Sequence, residues 1–268
     1  MTRVGIRSTR ELPSALDPEQ TDRWLRVARQ RGVIFLDYDG TLTPIVDRPE
    51  QAILSGAMRQ TLRQLAERMT VSVVTGRDIT VVADLVKMDD LIYVGSHGLD
   101  IAGPLGSGLR KEVALEFVDV LDQAECELTR RTKDIAGVVI ERKRFSVSTH
   151  VRLAAPDVRS HVDALVDAVR RMHPTLRREG GKMLSELRPD IDWDKGRAVR
   201  WLLDAMGRAP AEALFIGDDL TDETVFRALA EQGTSIVVAE TERPTAADLR
   251  LDSVEAVNLV LDRLAAAV

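Results

Sequence analysis

Short, nearly continuous apolar runs recur along the chain. Each is followed by polar or glycine residues and then by an amphipathic helical pattern. The runs lie at 33–36, 71–74, 91–94, 213–216 and 235–239. They are rich in β-branched residues and lack polar alternation, as strands covered on both faces should be. Helical periodicity fills 55–69, 79–86, 195–206 and 221–231, and a short helical pattern at 21–31 precedes the first run. This alternation predicts an α/β fold built on a doubly wound parallel sheet, Rossmann-like in plan.

The rhythm breaks between about 103 and 186. A Gly/Pro-rich junction at 103–108 leads into a helical stretch at 114–133, strands at 138–141 and 145–153, and a helix at 157–172. Strands at 175–179 and 182–187 flank Gly180-Gly181, a two-residue hairpin signal. Alternation in 145–153 sets Phe145, Val147, Thr149, Val151 and Leu153 on one face and Ser146, Ser148, His150 and Arg152 on the other. These features predict an α+β domain at 104–186 inserted into a core of 29–103 and 187–268, with 1–28 a loose tail and lead-in helix. A sheet with one polar face suits a hydroxyl-rich ligand.

Composition narrows the class. Hydrophobic residues make up 44% of the 268 and charged residues 30%, enough apolar material for a core without disulfides. Aromatics are only 4%, so that core rests on Val, Leu, Ile and Ala. The one cysteine, Cys126, excludes an internal disulfide framework and a multi-cysteine zinc site. No apolar run reaches the ~18 residues of a transmembrane helix, and the N-terminal residues lack the apolar core of a signal peptide. A cytoplasmic protein with no membrane partner is expected. The 37 basic and 43 acidic residues leave a net charge of −6, which argues against a nucleic-acid partner.

Where the first apolar run ends, the sequence reads Asp37-Tyr38-Asp39-Gly40-Thr41. Carboxylates at i and i+2 share a face of an extended strand, so both would enter the crevice at the carboxyl end of the sheet, where open α/β sheets bind ligands. Gly40 permits a sharp turn whose backbone N–H groups can face an anion. Thr75-Gly76-Arg77 follows the second run, and Gly217-Asp218-Asp219 with Asp222 follows the fourth. Lys195 opens a helix after Asp192-Trp193-Asp194. Each alone is an ordinary turn or cap; their common placement at strand and helix ends points to a single crevice.

These four segments, in this order, resemble the four motifs of the haloacid dehalogenase-like (HAD) phosphatase superfamily. FLDYDGTLTPI at 35–45, YVGSHGLDIAGP at 93–104, ELRPDIDWDKGRAV at 186–199 and FIGDDLTDE at 215–223 narrow the resemblance to the trehalose-6-phosphate phosphatase family. The resemblance implies a HAD core with an inserted cap that reads the sugar. It also implies hydrolysis of a small-molecule sugar phosphate, trehalose 6-phosphate, through an aspartyl-phosphate intermediate with Mg²⁺ as cofactor. Asp37 would be the nucleophile and Asp39 the acid and base, with Thr75 and Lys195 holding the phosphoryl oxygens. Asp37, the backbone carbonyl of Asp39 and Asp218 would ligate Mg²⁺, with Asp219 and Asp222 around them or as alternative ligands. Gly40 and Arg77 join the substrate-binding set, with His97 and Gly98 from the core rim and Glu141, Lys143, Arg152, Lys182 and Glu186 from the cap. The chain is expected to act as a monomer, in functional partnership with a trehalose-phosphate synthase. Thr75 stands where the family commonly has Ser, which keeps the hydroxyl. Phosphatases of sucrose 6-phosphate or of glycosyl phosphates, and a non-catalytic sugar-phosphate sensor, share parts of this pattern and stay open as alternatives.

Overall fold

Four- and five-residue runs of Val, Ile, Leu and Phe can be buried on both faces only as strands in the middle of a layered sheet. The computed structural model of the chain describes residues 5–46, 48–181, 183–230 and 232–267. In chain order, β1 (Arg7–Ser8), α1 (Pro18–Arg29), β2 (Val33–Leu36), α2 (Gly56–Ala66), β3 (Thr70–Val74), α3 (Ile79–Val86), β4 (Ile92–Gly95), β5 (Asp100–Ala102) and β6 (Arg110–Glu112) come first. Next come α4 (Val118–Thr132), β7 (Val139–Lys143), β8 (Ser146–His150), α5 (Arg159–Met172), β9 (Leu176–Gly181) and β10 (Leu184–Pro189). The chain then runs through α6 (Lys195–Ala205), β11 (Ala213–Gly217), α7 (Glu223–Leu229), β12 (Thr234–Val238), β13 (Pro244–Thr245), β14 (Leu249–Leu251) and α8 (Val254–Ala267). The described residues fall into two compact units, one drawn from 1–111 with 193–268 and the other Glu112–Asp192.

The first unit is built on an eight-stranded sheet in the order β14-β12-β11-β2-β3-β4-β5-β6. Pairing is parallel from β14 to β4 and antiparallel between β4 and β5. β2 lies in the middle, and the two-residue period of a strand divides its side chains between two cores. Ile34 and Leu36 pack with Trp24, Val27, Leu62 and Val257 from α1, α2 and α8. Val33 and Phe35 pack with Val199, Leu202 and Phe226 from α6 and α7. Each such burial contributes roughly 1.5–3 kcal/mol relative to exposure, so the strand that carries the acidic motif is among the most firmly fixed parts of the unit. At the two points where this unit's chain leaves and returns, the Lys111 ammonium sits 5.4 Å from the Trp193 ring and 5.0 Å from the Trp201 ring.

The lead-in expected to be loose is tied down from residue 7 onward. β1 pairs antiparallel with β13, and Leu12 and Ala15 are buried. Trp24 Nε1 donates to the Ala15 carbonyl at 2.9 Å. α1 begins at Pro18, ahead of the expected 21, as suits a residue with fixed φ and no N–H to lose at a helix start. Two small apolar anchors in a polar stretch, and backbone pairing with a segment more than 230 residues away, leave no periodic trace in the sequence.

The second unit is a four-stranded antiparallel sheet in the order β7-β8-β10-β9. Leu121 and Leu128 of α4 and Val162, Val166 and Val169 of α5 cover one face against Val147 and Leu187. The strand expected over 145–153 stops at His150; Arg152 and Leu153 lie in an exposed turn, so alternation does not extend to them. Gly137, at φ +80°, is what admits this turn, because a Cβ there would overlap the Leu153 carbonyl. Gly180 and Gly181 are not the hairpin turn either: both belong to β9, Gly181 pairs with Leu184, and Met183 takes φ +61° in the connection. Lys182 lies outside the described residues. Among the described residues, no helix is long and apolar enough to cross a membrane.

Candidate active site

Asp37 directly follows β2, and its N–H still donates to the Ile216 carbonyl of β11 at 2.9 Å, so this carboxylate leaves directly from the central ladder. Tyr38 turns back into the core and donates its hydroxyl to the Ala52 carbonyl at 2.6 Å. Gly40 takes φ +83° and closes the turn by donating its N–H to the Thr43 carbonyl at 2.7 Å. A Cβ at Gly40 would overlap the Asp218 carboxylate, so glycine is required both for the backbone and for the space.

Asp37, Lys195 and Asp222 form the buried centre, with exposures of 4, 2 and 0%. Lys195 Nζ donates to Asp37 Oδ1 at 2.7 Å and to Asp222 Oδ1 at 2.8 Å. Lys195 occupies the first turn of α6, where Asp194 caps the helix by accepting the Arg197 N–H at 2.8 Å. The Gly196 N–H donates to Thr224 Oγ1 at 3.1 Å, and the lack of a Cβ at 196 lets α6 close on the Thr224 backbone beside α7. A cation at a helix N-terminus opposes the helix dipole. Burial also works against its charge, but the Asp222 and Asp37 carboxylates outweigh that burial and hold the Lys195 ammonium above the ordinary lysine range.

Oxygens of Asp37, Asp218 and Asp222 lie within 4.8 Å of one another. Burial pushes Asp37 well above the usual carboxylate range despite Lys195, with Asp222 and Asp218 adding to the shift. Burial, then the carboxylates of Asp222 and Asp219, push Asp218 up to about 7. Both Asp222 oxygens are engaged, one by Lys195 and the other by the Asp219 N–H at 3.0 Å. Asp218 Oδ1, by contrast, is buried and accepts no hydrogen bond. Three clustered carboxylates beside one ammonium, one of them with a buried oxygen that accepts no hydrogen bond, fit a hard divalent cation that takes oxygen ligands. Asp37 and Asp218 are the residues with lone pairs to give it. Asp219 is exposed and caps the turn leading to α7, accepting from Thr221 Oγ1 at 3.0 Å.

Thr75 is buried at the same end of the neighbouring strand; its N–H donates to the Val94 carbonyl at 2.8 Å and its Oγ1 accepts the Arg77 N–H at 3.2 Å. Arg77, which the sequence places with the substrate-binding residues, grips Asp39. Its Nε donates to Asp39 Oδ2 at 2.7 Å and its Nη2 to Oδ1 at 2.6 Å, while its guanidinium lies 5.4 Å over the Tyr38 ring. Ser96, His97 and Gly98 take φ +49°, +56° and +101° in succession. Left-handed backbone at the two non-glycine positions costs about 1–3 kcal/mol each. The turn is held by His97 N–H donating to the Thr75 carbonyl at 3.0 Å and Ser96 N–H donating to the Arg77 carbonyl at 2.8 Å. The His97 imidazole fills the space a Cβ at Gly76 would need, and Trp193 Nε1 donates to the Gly98 carbonyl at 2.7 Å.

In the second unit, Glu141, Lys143 and Glu186 share the polar face of the sheet. Glu186 Oε1 accepts from Ser146 Oγ at 2.7 Å, Ser148 Oγ at 3.0 Å and Lys143 Nζ at 3.2 Å. Glu141 Oε2 lies 2.8 Å from His150 Nε2, a hydrogen bond that holds Glu141 below its usual range. Arg152 stands apart from this face, in the turn after β8.

The sequence places Asp222 around the metal ligands or as an alternative ligand; its pairing with Lys195 is not legible there. The signal available was its spacing of four residues from Asp218, which a short turn brings onto one side. The family model for trehalose-phosphatase matches residues 35–255. A trehalose-phosphate phosphatase of Mycobacterium tuberculosis is 40% identical over 269 residues, covering 98% of this chain and 68% of that one. Among solved structures, a trehalose-6-phosphate phosphatase of Aspergillus fumigatus is 28% identical, with a TM-score of 0.67 over 96% of this chain and 100% of that one. A haloacid dehalogenase-like hydrolase from Bacteroides thetaiotaomicron, 17% identical, shares the fold with a TM-score of 0.64 over 87% of this chain and 99% of that one. On the extent of the family match and the coverage of that mycobacterial relative, the chain belongs to the trehalose-phosphatase family of phosphoric monoester hydrolases.

Proposed function

We propose that the chain hydrolyses trehalose 6-phosphate to trehalose and phosphate, with Asp37 as nucleophile and with the second unit as the cap that reads the sugar. One observation carries the reading: Asp37 is a buried carboxylate at the end of the central strand, with one oxygen held by Lys195. That arrangement orients the other oxygen as a nucleophile. Family membership and the mycobacterial relative support the choice of substrate.

In this reading the free oxygen of Asp37 attacks phosphorus, the bond from phosphorus to the sugar oxygen breaks, and an aspartyl phosphate forms. Asp39 gives a proton to the departing sugar oxygen. It then takes a proton from the water that attacks phosphorus, which releases phosphate and restores Asp37. Thr75 Oγ1, an acceptor for the Arg77 N–H, still has its proton to donate to a phosphoryl oxygen. Arg77 holds both Asp39 oxygens in the resting structure, so it must release one before Asp39 can carry that proton. Asp37 and Asp218 would hold Mg²⁺, whose charge, when bound, reduces repulsion between the carboxylate and a phosphate monoester. Glu141, Lys143 and Glu186 would meet the sugar hydroxyls from a face whose donors and acceptors are already fixed by Ser146, Ser148 and His150.

Phosphate release from trehalose 6-phosphate, sucrose 6-phosphate and glucose 6-phosphate tests the reading. The highest kcat/KM is expected for trehalose 6-phosphate, and Asp37→Asn should abolish turnover with circular dichroism unchanged. Equal or better turnover of another sugar phosphate would overturn the substrate, and an active Asp37→Asn protein would overturn the nucleophile.

A further inference from the structure

Asp218 is held in place by a residue outside the four motifs, Arg243. Arg243 Nη2 donates to the Asp218 carbonyl at 2.7 Å, and Arg243 Nη1 donates to Glu223 Oε1 at 3.2 Å. The other oxygen of Glu223 accepts the Ala246 N–H at 2.8 Å. Glu223 is buried and the Arg243 side chain is only 17% exposed, so this is a shielded, charge-assisted clamp on the backbone beside the candidate metal ligand.

The clamp has its own anchor in the N-terminal segment. Thr9, 3% exposed, donates its N–H to the Arg243 carbonyl at 2.9 Å and accepts the Arg243 N–H at Oγ1 at 3.1 Å. Its hydroxyl donates to the Thr241 carbonyl at 3.2 Å. On either side of Thr9, Ser8 Oγ reaches Glu242 at 2.8 Å and Arg10 pairs with Glu242 at 3.3 Å. A continuous path of hydrogen bonds therefore runs from residues 8–10 through 241–243 to the Asp218 carbonyl.

Asp218 needs such a restraint. Its carboxylate is crowded by those of Asp222 and Asp37, and repulsion favours any relaxation of the loop that separates them. We infer that Arg243 is a positioning residue for the metal site and that Thr9 is its anchor, so that the N-terminal segment helps to set metal affinity. Fixing the Asp218 carbonyl fixes the peptide that carries the carboxylate.

This inference rests on the reading of Asp37 and Asp218 as a Mg²⁺ site, and the test separates the two. Mg²⁺ binding would be measured by isothermal titration calorimetry on the full chain, with folding checked by circular dichroism. Arg243→Met is expected to weaken Mg²⁺ binding about tenfold, in the range found for outer partners of metal ligands. Arg243→Lys should restore part of that loss, and kcat of Arg243→Met should recover at saturating Mg²⁺, which a merely structural defect would not allow. Thr9→Val removes the hydroxyl at nearly constant shape and should weaken binding about threefold, as the loss of a neutral hydrogen bond predicts. Parental affinity in folded Arg243→Met and Thr9→Val proteins overturns the inference and leaves the metal site standing. Should Arg243→Met fail to fold, parental affinity in Thr9→Val alone overturns it. A parent chain that binds no Mg²⁺ at millimolar concentration overturns both.

Discussion

Three carboxylates share one lysine in the first unit, whereas in the second Glu141, Glu179 and Glu186 each meet partners of their own. Glu186 is met by Lys143, Ser146 and Ser148, and Glu141 by His150. Glu179 pairs with Arg188 at 2.8 Å and Arg177 at 3.0 Å. Among the described residues, the cation paired with Asp37 and Asp222 is the Lys195 ammonium, and the buried Asp218 Oδ1 beside them has no hydrogen bond. A buried excess of negative charge is costly unless something else completes it. A balanced network already satisfies itself and can present fixed dipoles to neutral hydroxyls. The difference is consistent with the charge chemistry proposed for the first unit and with the hydroxyl recognition proposed for the second.

The contrast is broken most severely at Lys195. Lys195→Met leaves two buried carboxylates without their cation and should cost about 3–5 kcal/mol in urea unfolding of the metal-free protein, along with all turnover. Unchanged stability would mean that Asp37 and Asp222 are not both ionised at rest. Asp218→Asn should act in the opposite sense, because it removes one of the mutually repelling charges. The metal-free melting temperature is expected to rise, at about 2–4 °C per kcal/mol of repulsion relieved. The further rise that Mg²⁺ gives the parent by mass action should vanish. A fall in metal-free stability would show that crowding is not the dominant cost.

In the second unit, Glu186→Gln keeps most hydrogen bonds and removes only the charge. Stability should barely move, while KM for the sugar phosphate rises roughly tenfold with kcat largely kept, the pattern of a group that reads hydroxyls. A fall in kcat at constant KM would place Glu186 in the chemistry instead. The smallest effect is in pH. The folded metal-free chain keeps the Asp218 proton up to about pH 7, whereas the unfolded chain releases it near ~3.9. Through this group, stability of the metal-free protein should therefore fall as pH rises from about 4 to 7. Mg²⁺ requires the ionised form, so its stabilising shift should be larger at about pH 8 than at about pH 6. Equal shifts at both would contradict the raised value.

The parts of this molecule legible in its sequence share a physical cause. β2, β3, β4, β11 and β12 announce themselves because burial on both faces leaves continuous apolar runs. Asp37, Thr75 and Asp218 are legible because polar residues at the ends of such runs have little else to do. What escapes is pairing across long separations. Nothing periodic links Arg77 to Asp39, Lys195 to Asp222 or Thr9 to Arg243, and each pairing exists only once the sheet has brought its strand ends together. The three-residue strands β14 and β6 at the two edges of the sheet, and β5 next to β6, are too short for any pattern. Arg152 leaves the polar strand face that alternation predicts for it, because β8 ends at His150 and Gly137 lets the chain turn there. Gly180-Gly181 carried a hairpin signal that the strand simply absorbed.

The stack of Lys111 on Trp193 and Trp201 has a consequence for evolution. Departure and return points held side by side mean that the core itself closes the loop holding residues 112–192. Loop-closure entropy grows only logarithmically with length, so doubling such an insertion would cost about 0.6 kcal/mol. A host that sets aside so little stability for what it carries can exchange, enlarge or shorten its guest while the reaction centre stays the same. Descendants could then change the molecules they act on without relearning the chemistry.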